Sequence, residues 1–153
     1  MQIELWWIGR TRTKYLQPGI DDYIKRINFF HRFEIREFSS SRSKKSQGNV
    51  KIDDENYLKQ IGQRDLIVLL DESGKNMTSA QFARQCEKYL LRQVSKVIFI
   101  IGGPYGFGPE LYKRADAKIA LSDMTFTHDM VRLIFLEQLY RAFTINKNLP
   151  YHH

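Results

Sequence analysis

Cysteine is almost missing from this chain: Cys86 is the single one in 153 residues. An internal disulfide is therefore impossible, and cysteine gives no metal cluster. Histidine is equally sparse. His31 and His128 are isolated and His152-His153 close the chain, too few for a tag, so no metal is expected. No apolar run approaches the ~20 residues that span a bilayer. The opening MQIELWWIGR lacks the basic start and small-residue cleavage site of a secretory leader and reads as a first strand. A cytoplasmic location with no membrane partner is the expectation. Several catalytic signatures are absent too. The first strand ends in Ile8-Gly9-Arg10-Thr11, not in a G-x-G-x-x-G turn. Asp71-Glu72-Ser73-Gly74-Lys75 follows a strand without the glycine spacing of a P-loop, and no G-x-S-x-G elbow appears.

What is present suits one domain over residues 1–153, long enough to bury its own core. Hydrophobic residues at 42% and charged residues at 27% are ordinary for a globular protein. The charge balance is not. Twenty-four Lys and Arg against seventeen Asp and Glu leave a net +7, which favours a polyanionic partner through counterion release. Residues 39–51 carry Arg42, Lys44, Lys45 and Lys51 with no acid, a Ser-rich loop able to clamp phosphates. Arg10, Arg12 and Lys14 form a second basic cluster after the first strand.

Strands are expected at 3–8, 33–38, 66–71, 97–101 and 118–121, with helices over 19–30, 53–61, 79–93, 110–115 and 129–143. Thr78 and Gln81 form a capping box for the third helix. This alternation predicts an α/β domain with a mostly parallel sheet and helices on both faces. The fully apolar run Val97–Ile101 reads as a buried central strand, and it stops at Gly102-Gly103-Pro104-Tyr105-Gly106-Phe107-Gly108. Ligands of open parallel sheets sit beyond the carboxyl ends of the strands. The glycines therefore mark either a small-molecule site reached by backbone amides or a tight strand-to-helix turn.

The last helix leaves little polar face, from Met130, Val131 and Leu133 to Tyr140, Ala142 and Phe143. Its own sheet covers one side, so a partner chain is expected on the other, as a homodimer. Glu137 and Arg141 can pair on its surface. Arg132 has no acid three or four residues away on this helix in that reading and is the candidate for function.

Three runs in order, IIGGPYGFGPEL, ALSDMTFTHDMVRLIFLEQLYRAF and the terminal NKNLPYHH, resemble the bacterial ribosomal RNA large subunit methyltransferase H family of the SPOUT superfamily. The resemblance spans the whole chain, including the strand ending in Gly9 and the Leu70-Asp71-x-x-Gly74-Lys75 segment. It implies a C-terminal trefoil knot, a homodimer, and methylation of N3 of a pseudouridine in 23S ribosomal RNA; the small size, with little surface for specificity, points to the assembled ribosome as the substrate. S-adenosylmethionine is then expected at Leu70, at Gly102 and Gly103, and at Leu121, Ser122, Asp123, Met124, Thr125 and Phe126. Without the resemblance, 121–126 reads as an ordinary loop capped by Thr127 or Asp129.

Methyl transfer from a sulfonium needs alignment more than acid or base groups. The acceptor nitrogen must still lose a proton, for which His128, Tyr151 and His152 are candidates. Arg132 is assigned to substrate orientation or a phosphate contact, and Arg10, Arg12, Arg42, Lys44 and Lys45 to RNA. Three alternatives stand beside this reading. They are a non-catalytic RNA-binding protein, a flavodoxin-like nucleotide or phosphate enzyme, and a SPOUT methyltransferase with another RNA acceptor.

Overall fold

A computed structural model describes residues 1–39, 46–103 and 105–153, with the backbone alone for 46–49. Five strands form one sheet: β1 (Gln2–Ile8), β2 (Arg32–Phe38), β3 (Leu66–Asn76), β4 (Lys96–Ile101) and β5 (Ala117–Ala120). Their order is β2-β1-β4-β3-β5 and every pairing between them is parallel. The helices are α1 (Gln17–Asn28), α2 (Ser46–Leu58), α3 (Ser79–Leu90), α4 (Pro109–Arg114) and α5 (His128–Asn146). The expected class, α/β with helices on both faces, is the observed one.

The two faces follow from strand alternation. Ile3, Leu5 and Trp7 of β1 join Val97 and Phe99 of β4 beneath α1, α3 and α5. Trp6, Ile98, Ile100, Ile67 and Leu69 point the other way, against Tyr57 of α2 and Leu111 of α4. Apolar residues on both faces explain why β4 reads as an unbroken hydrophobic run. Thr78 and Gln81 form the expected reciprocal cap of α3, and Thr127 accepts the Met130 amide to cap α5.

Two elements differ from the sequence reading. Helix α2 begins at Ser46, inside the basic segment expected to be loop. Its packing face is thin: Val50 approaches Gly108, Asp54 is buried and Tyr57 lies in the core, so apolar periodicity scarcely marks it. Strand β3 continues past Asp71 to Asn76. Its register with β5 shifts between Leu70 and Lys75, and the intervening residues leave the ladder. The chain then rejoins β5 so closely that a Cβ on Gly74 would lie 2.5 Å from the Ile119 carbonyl carbon.

Helix α5 is also covered differently. Both α1 and α3 of its own chain pack along it, burying Phe135, Leu136, Leu139, Ala142 and Phe143. Met130, Val131, Leu133, Ile134 and Tyr140 stay only half-buried within this chain.

Candidate active site

At the bulge of β3 and the carboxyl ends of β4 and β5, three segments enclose a cavity of about 590 Å³. That is within the range of small-molecule sites. The first wall is Leu70 with the bulged Asp71, Glu72 and Ser73. The second is Ile101, Gly102 and Gly103 with the turn through Phe107. The third runs from Leu121 and Ser122 through Met124, Thr125 and Phe126 to His128 and Val131. The expected segments therefore converge on one space although about fifty residues separate the first from the third. Asp123 does not line it and instead accepts from the Asn76 amide at 2.5 Å.

The glycine wall is shaped by backbone demands. Gly106 holds a φ of +72°, which favours glycine, and its amide donates to the Gly103 carbonyl at 3.0 Å. A Cβ on Gly102 would come within 3.2 Å of the Phe107 ring. The buried Asp54 carboxylate accepts from the amides of Gly108 at 3.0 Å and Leu111 at 3.2 Å, fixing the start of α4 behind this wall.

The charge of the cavity runs against that of the protein. None of its described lining residues is Lys or Arg, while Asp71 and Glu72 both line it. Burial alone would raise the Asp71 carboxyl. Hydrogen bonds from Ser73 and Tyr112 and the Lys118 ammonium outweigh burial and hold it below the ordinary carboxylate value. Tyr112 bridges the mouth by donating to Asp71. Its phenol is pushed up to about 12 by burial and by that carboxylate. Thr125 donates to Glu72 at 3.3 Å, tying the third wall to the first.

The remaining expected residues divide. His128 is exposed and lines the cavity at the first position of α5. Arg132 does not line it. Its guanidinium is buried over the Trp7 ring, 4.7 Å from the centroid. It donates to the Ile8 carbonyl at 2.8 Å and the Thr11 hydroxyl at 3.0 Å, and lies 3.6 Å from Asp129. The fork expected to grip a phosphate is used inside the chain. The acid at i−3 that the sequence reading overlooked is Asp129, which also accepts the Arg12 and Thr13 amides at 2.9 and 2.8 Å. The Arg10 and Arg12 side chains are exposed beyond β1. Arg42, Lys44 and Lys45 lie outside the described residues.

Tyr151 and His152 fold onto the far end of α5. Tyr151 donates to Glu137 at 3.1 Å and faces the Tyr23 hydroxyl at 3.1 Å. Arg141 meets Glu137 through Nε at 3.0 Å and through Nη2, and meets His152 Nδ1 through Nη1 at 3.3 Å. The tail packs on Glu137 and Arg141, which follow the cavity-lining Val131 by about 9 and 15 Å of helical rise. Neither Tyr151 nor His152 lines that chain's own cavity.

Sequence reasoning missed two groups. Asp71 and Glu72 enter the sequence reading only in a rejected P-loop and, for Asp71, in the family motif, with no ligand role; the β3 bulge that turns them to the cavity has no local sequence mark. Glu137 and Arg141 read in sequence as a surface pair, because their third partner, the tail, is not local.

Comparisons with known proteins agree with this architecture. A family model described as "Predicted SPOUT methyltransferase" matches residues 1–152. A protein of Flavobacterium psychrophilum is 44% identical over 162 residues, covering 100% of this chain and 99% of its own length. One of Christiangramia forsetii is 45% identical over 156 residues, covering 100% and 99%. One of Cytophaga hutchinsonii is 44% identical over 155 residues, covering 100% of both. All three are named ribosomal RNA large subunit methyltransferase H. A solved structure of a probable methylase family protein from Haemophilus influenzae shares the fold, with a TM-score of 0.53 and 12% identity over 95% of this chain and 66% of that one. The chain belongs to the ribosomal RNA large subunit methyltransferase H family of SPOUT methyltransferases.

Proposed function

We propose that this protein transfers a methyl group from S-adenosylmethionine to N3 of a pseudouridine in 23S ribosomal RNA, on the assembled ribosome in the cytoplasm. The observation that carries the reading is the cavity's charge: two carboxylates and no Lys or Arg among its described lining residues, in a chain of net charge +7. Such a site suits a cationic ligand and opposes the phosphates of a flavin or nucleotide, which the flavodoxin-like alternative requires.

The residues present fit S-adenosylmethionine. Leu70, Ile101, Leu121, Phe126 and Val131 offer apolar walls to the adenine, and Gly102 and Gly103 open backbone groups to it. Asp71 and Glu72 face the positive charge. Asp123, exposed beside Asn76, holds the third wall in place. When bound, S-adenosylmethionine supplies an electrophilic methyl group. The walls would hold the donor in line with the acceptor, and such alignment can supply a large part of the acceleration of a displacement. The three walls are also read as the sides of a C-terminal trefoil knot.

The tail packs further along α5 than the cavity-lining Val131, about 9 to 15 Å by helix rise, and does not line its own cavity. We therefore read the working unit as a homodimer in which one protomer holds the donor while the partner presents its tail, with His128 at the rim. Arg10, Arg12, Arg42, Lys44 and Lys45 are the proposed grip on RNA phosphates. Arg132 supports that grip by holding the segment after β1.

Calorimetric titration tests the reading. S-adenosylmethionine binding with no flavin or nucleoside phosphate binding is expected. Preference for the phosphate ligands would overturn it, and binding of neither would leave an RNA-binding module. Mixing a cavity variant, Gly102→Val, with a tail variant, His152→Ala, tests the shared site. If subunits exchange freely, about a quarter of wild-type activity returns from two inactive parents when each site uses two chains. A dead mixture, with exchange shown by mass, contradicts the arrangement.

A further inference from the structure

The side chains packed against the tail impose a direction on its hydrogen bonds. Glu137 Oε1 accepts from Arg141 Nε at 3.0 Å, from Arg141 Nη2 and from the Tyr151 hydroxyl at 3.1 Å, while Oε2 accepts from Gln138 at 2.7 Å. With two of its nitrogens turned to Glu137, the guanidinium has Nη1 left for His152 Nδ1, 3.3 Å away. Arginine only donates. A hydrogen bond at that distance therefore needs a lone pair on Nδ1, and the neutral ring must carry its proton on Nε2. The tautomer is assigned from donor and acceptor chemistry.

We propose that Glu137 is a positioning residue: through Arg141 it fixes His152 with its proton on Nε2, so that His152 donates to an oxygen of the acceptor base instead of taking the N3 proton. This rests on the reading that the tail meets the acceptor. Among the described residues, Arg141 and His153 lie directly against the ring, and Glu137 and Tyr151 pack against Arg141 behind it. Glu137 itself already accepts from four donors.

The N3 proton then leaves to water. The negative charge left on the imide is spread over N3 and the two ring oxygens, where the Nε2–H and the nearby Arg141 charge stabilise it. The N3 electron pair forms the bond to the methyl carbon as the carbon–sulfur bond breaks, with its pair retained by sulfur. A histidine serving as base would instead have to be unprotonated at the nitrogen that faces N3.

The experiment is the pH dependence of single-turnover methyl transfer to ribosomes by the wild type, Glu137→Gln, His152→Gln and His152→Ala. The glutamine amide can replace the Nε2–H donor but not a base. The expected wild-type rate keeps rising tenfold per pH unit from pH 6 through 8, with no plateau at an imidazole. His152→Gln retains most of the activity that His152→Ala loses. Glu137→Gln lowers the rate by about tenfold through loss of alignment, and its pH profile no longer matches that of the wild type. Its affinity for S-adenosylmethionine stays within twofold, because the cavity lies at the other end of α5. A wild-type plateau above about pH 6.5, the unperturbed imidazole value, with His152→Gln as inactive as His152→Ala, would overturn the donor role. An unchanged rate and profile in Glu137→Gln would overturn its positioning role. Full activity in His152→Ala would show that the tail does not meet the acceptor and would remove the underlying reading as well.

Discussion

Arg132 Nη2 donates to the carbonyl oxygen of Ile8 at 2.8 Å, so the first turns of α5 are bolted to the last residue of β1 across 124 positions of sequence. The bond holds the segment 9–13, which leads from β1 toward α1, beside the carboxyl end of the sheet. Arg132→Met keeps the apolar packing on Trp7 but leaves the Ile8 carbonyl and Asp129 without their cation. Removing one partner of such a buried set costs about 3 kcal/mol. Urea unfolding should show that loss, with S-adenosylmethionine affinity intact in the folded fraction. A fully stable variant with abolished RNA binding would return Arg132 to the phosphate-gripping role.

Asp71 should matter for affinity and hardly for its pH dependence. Its folded carboxyl lies below the ordinary value of 3.8. A depressed carboxylate contributes above its unfolded pKa and loses that contribution as pH falls through the folded one. The Asp71 charge is therefore complete across pH 5 to 8, and its contribution to stability fades only below 3.8. Titration calorimetry should give a flat affinity on this account from pH 5 to 8. Asp71→Asn should weaken S-adenosylmethionine by about tenfold, the scale of one charged hydrogen bond or ion pair.

Gly74 sets the seam between β3 and β5. A Cβ there would lie 2.5 Å from one Ile119 backbone atom and 2.6 Å from another. Backbone cannot yield as a flexible side chain can. Gly74→Ala should cost about 2 kcal/mol or more and lower the thermal midpoint by several degrees. Because β5 leads into the third wall, cofactor affinity should fall with it. Differential scanning calorimetry with and without S-adenosylmethionine reads both effects.

The sheet was legible in the sequence because its central strands β1, β3 and β4 are buried on both faces over most of their paired length. Runs such as Val97–Ile101 have no competing helical reading once glycine bounds them. The cavity was legible as three loops, through the rule for parallel sheets and through the family motifs. Helix α2 was mostly hidden, since a short amphipathic face built on Val50, Asp54 and Tyr57 offers little periodicity. The bulge of β3 was hidden because a register shift depends on the partner strand. The role of Arg132 was misjudged for a related reason. Its partners Ile8 and Thr11 are 124 and 121 residues away, and a long-range bond to a backbone carbonyl leaves no pattern.

The exposed Arg10 and Arg12 allow a test of RNA contact. Replacing either by alanine should raise KM for the ribosome and lower the slope of log affinity against log salt by roughly one ion per arginine. Affinity for S-adenosylmethionine should not change. A salt slope that stays constant would place the RNA elsewhere.

The most direct measurement is transfer of labelled methyl from S-adenosylmethionine to assembled 70S ribosomes, free 50S subunits and naked 23S RNA, with the product nucleotide mapped. The account predicts label on N3 of a pseudouridine of 23S RNA, strongest in the 70S particle. Label on another RNA, or cofactor binding with no transfer to any ribosomal substrate, would contradict it.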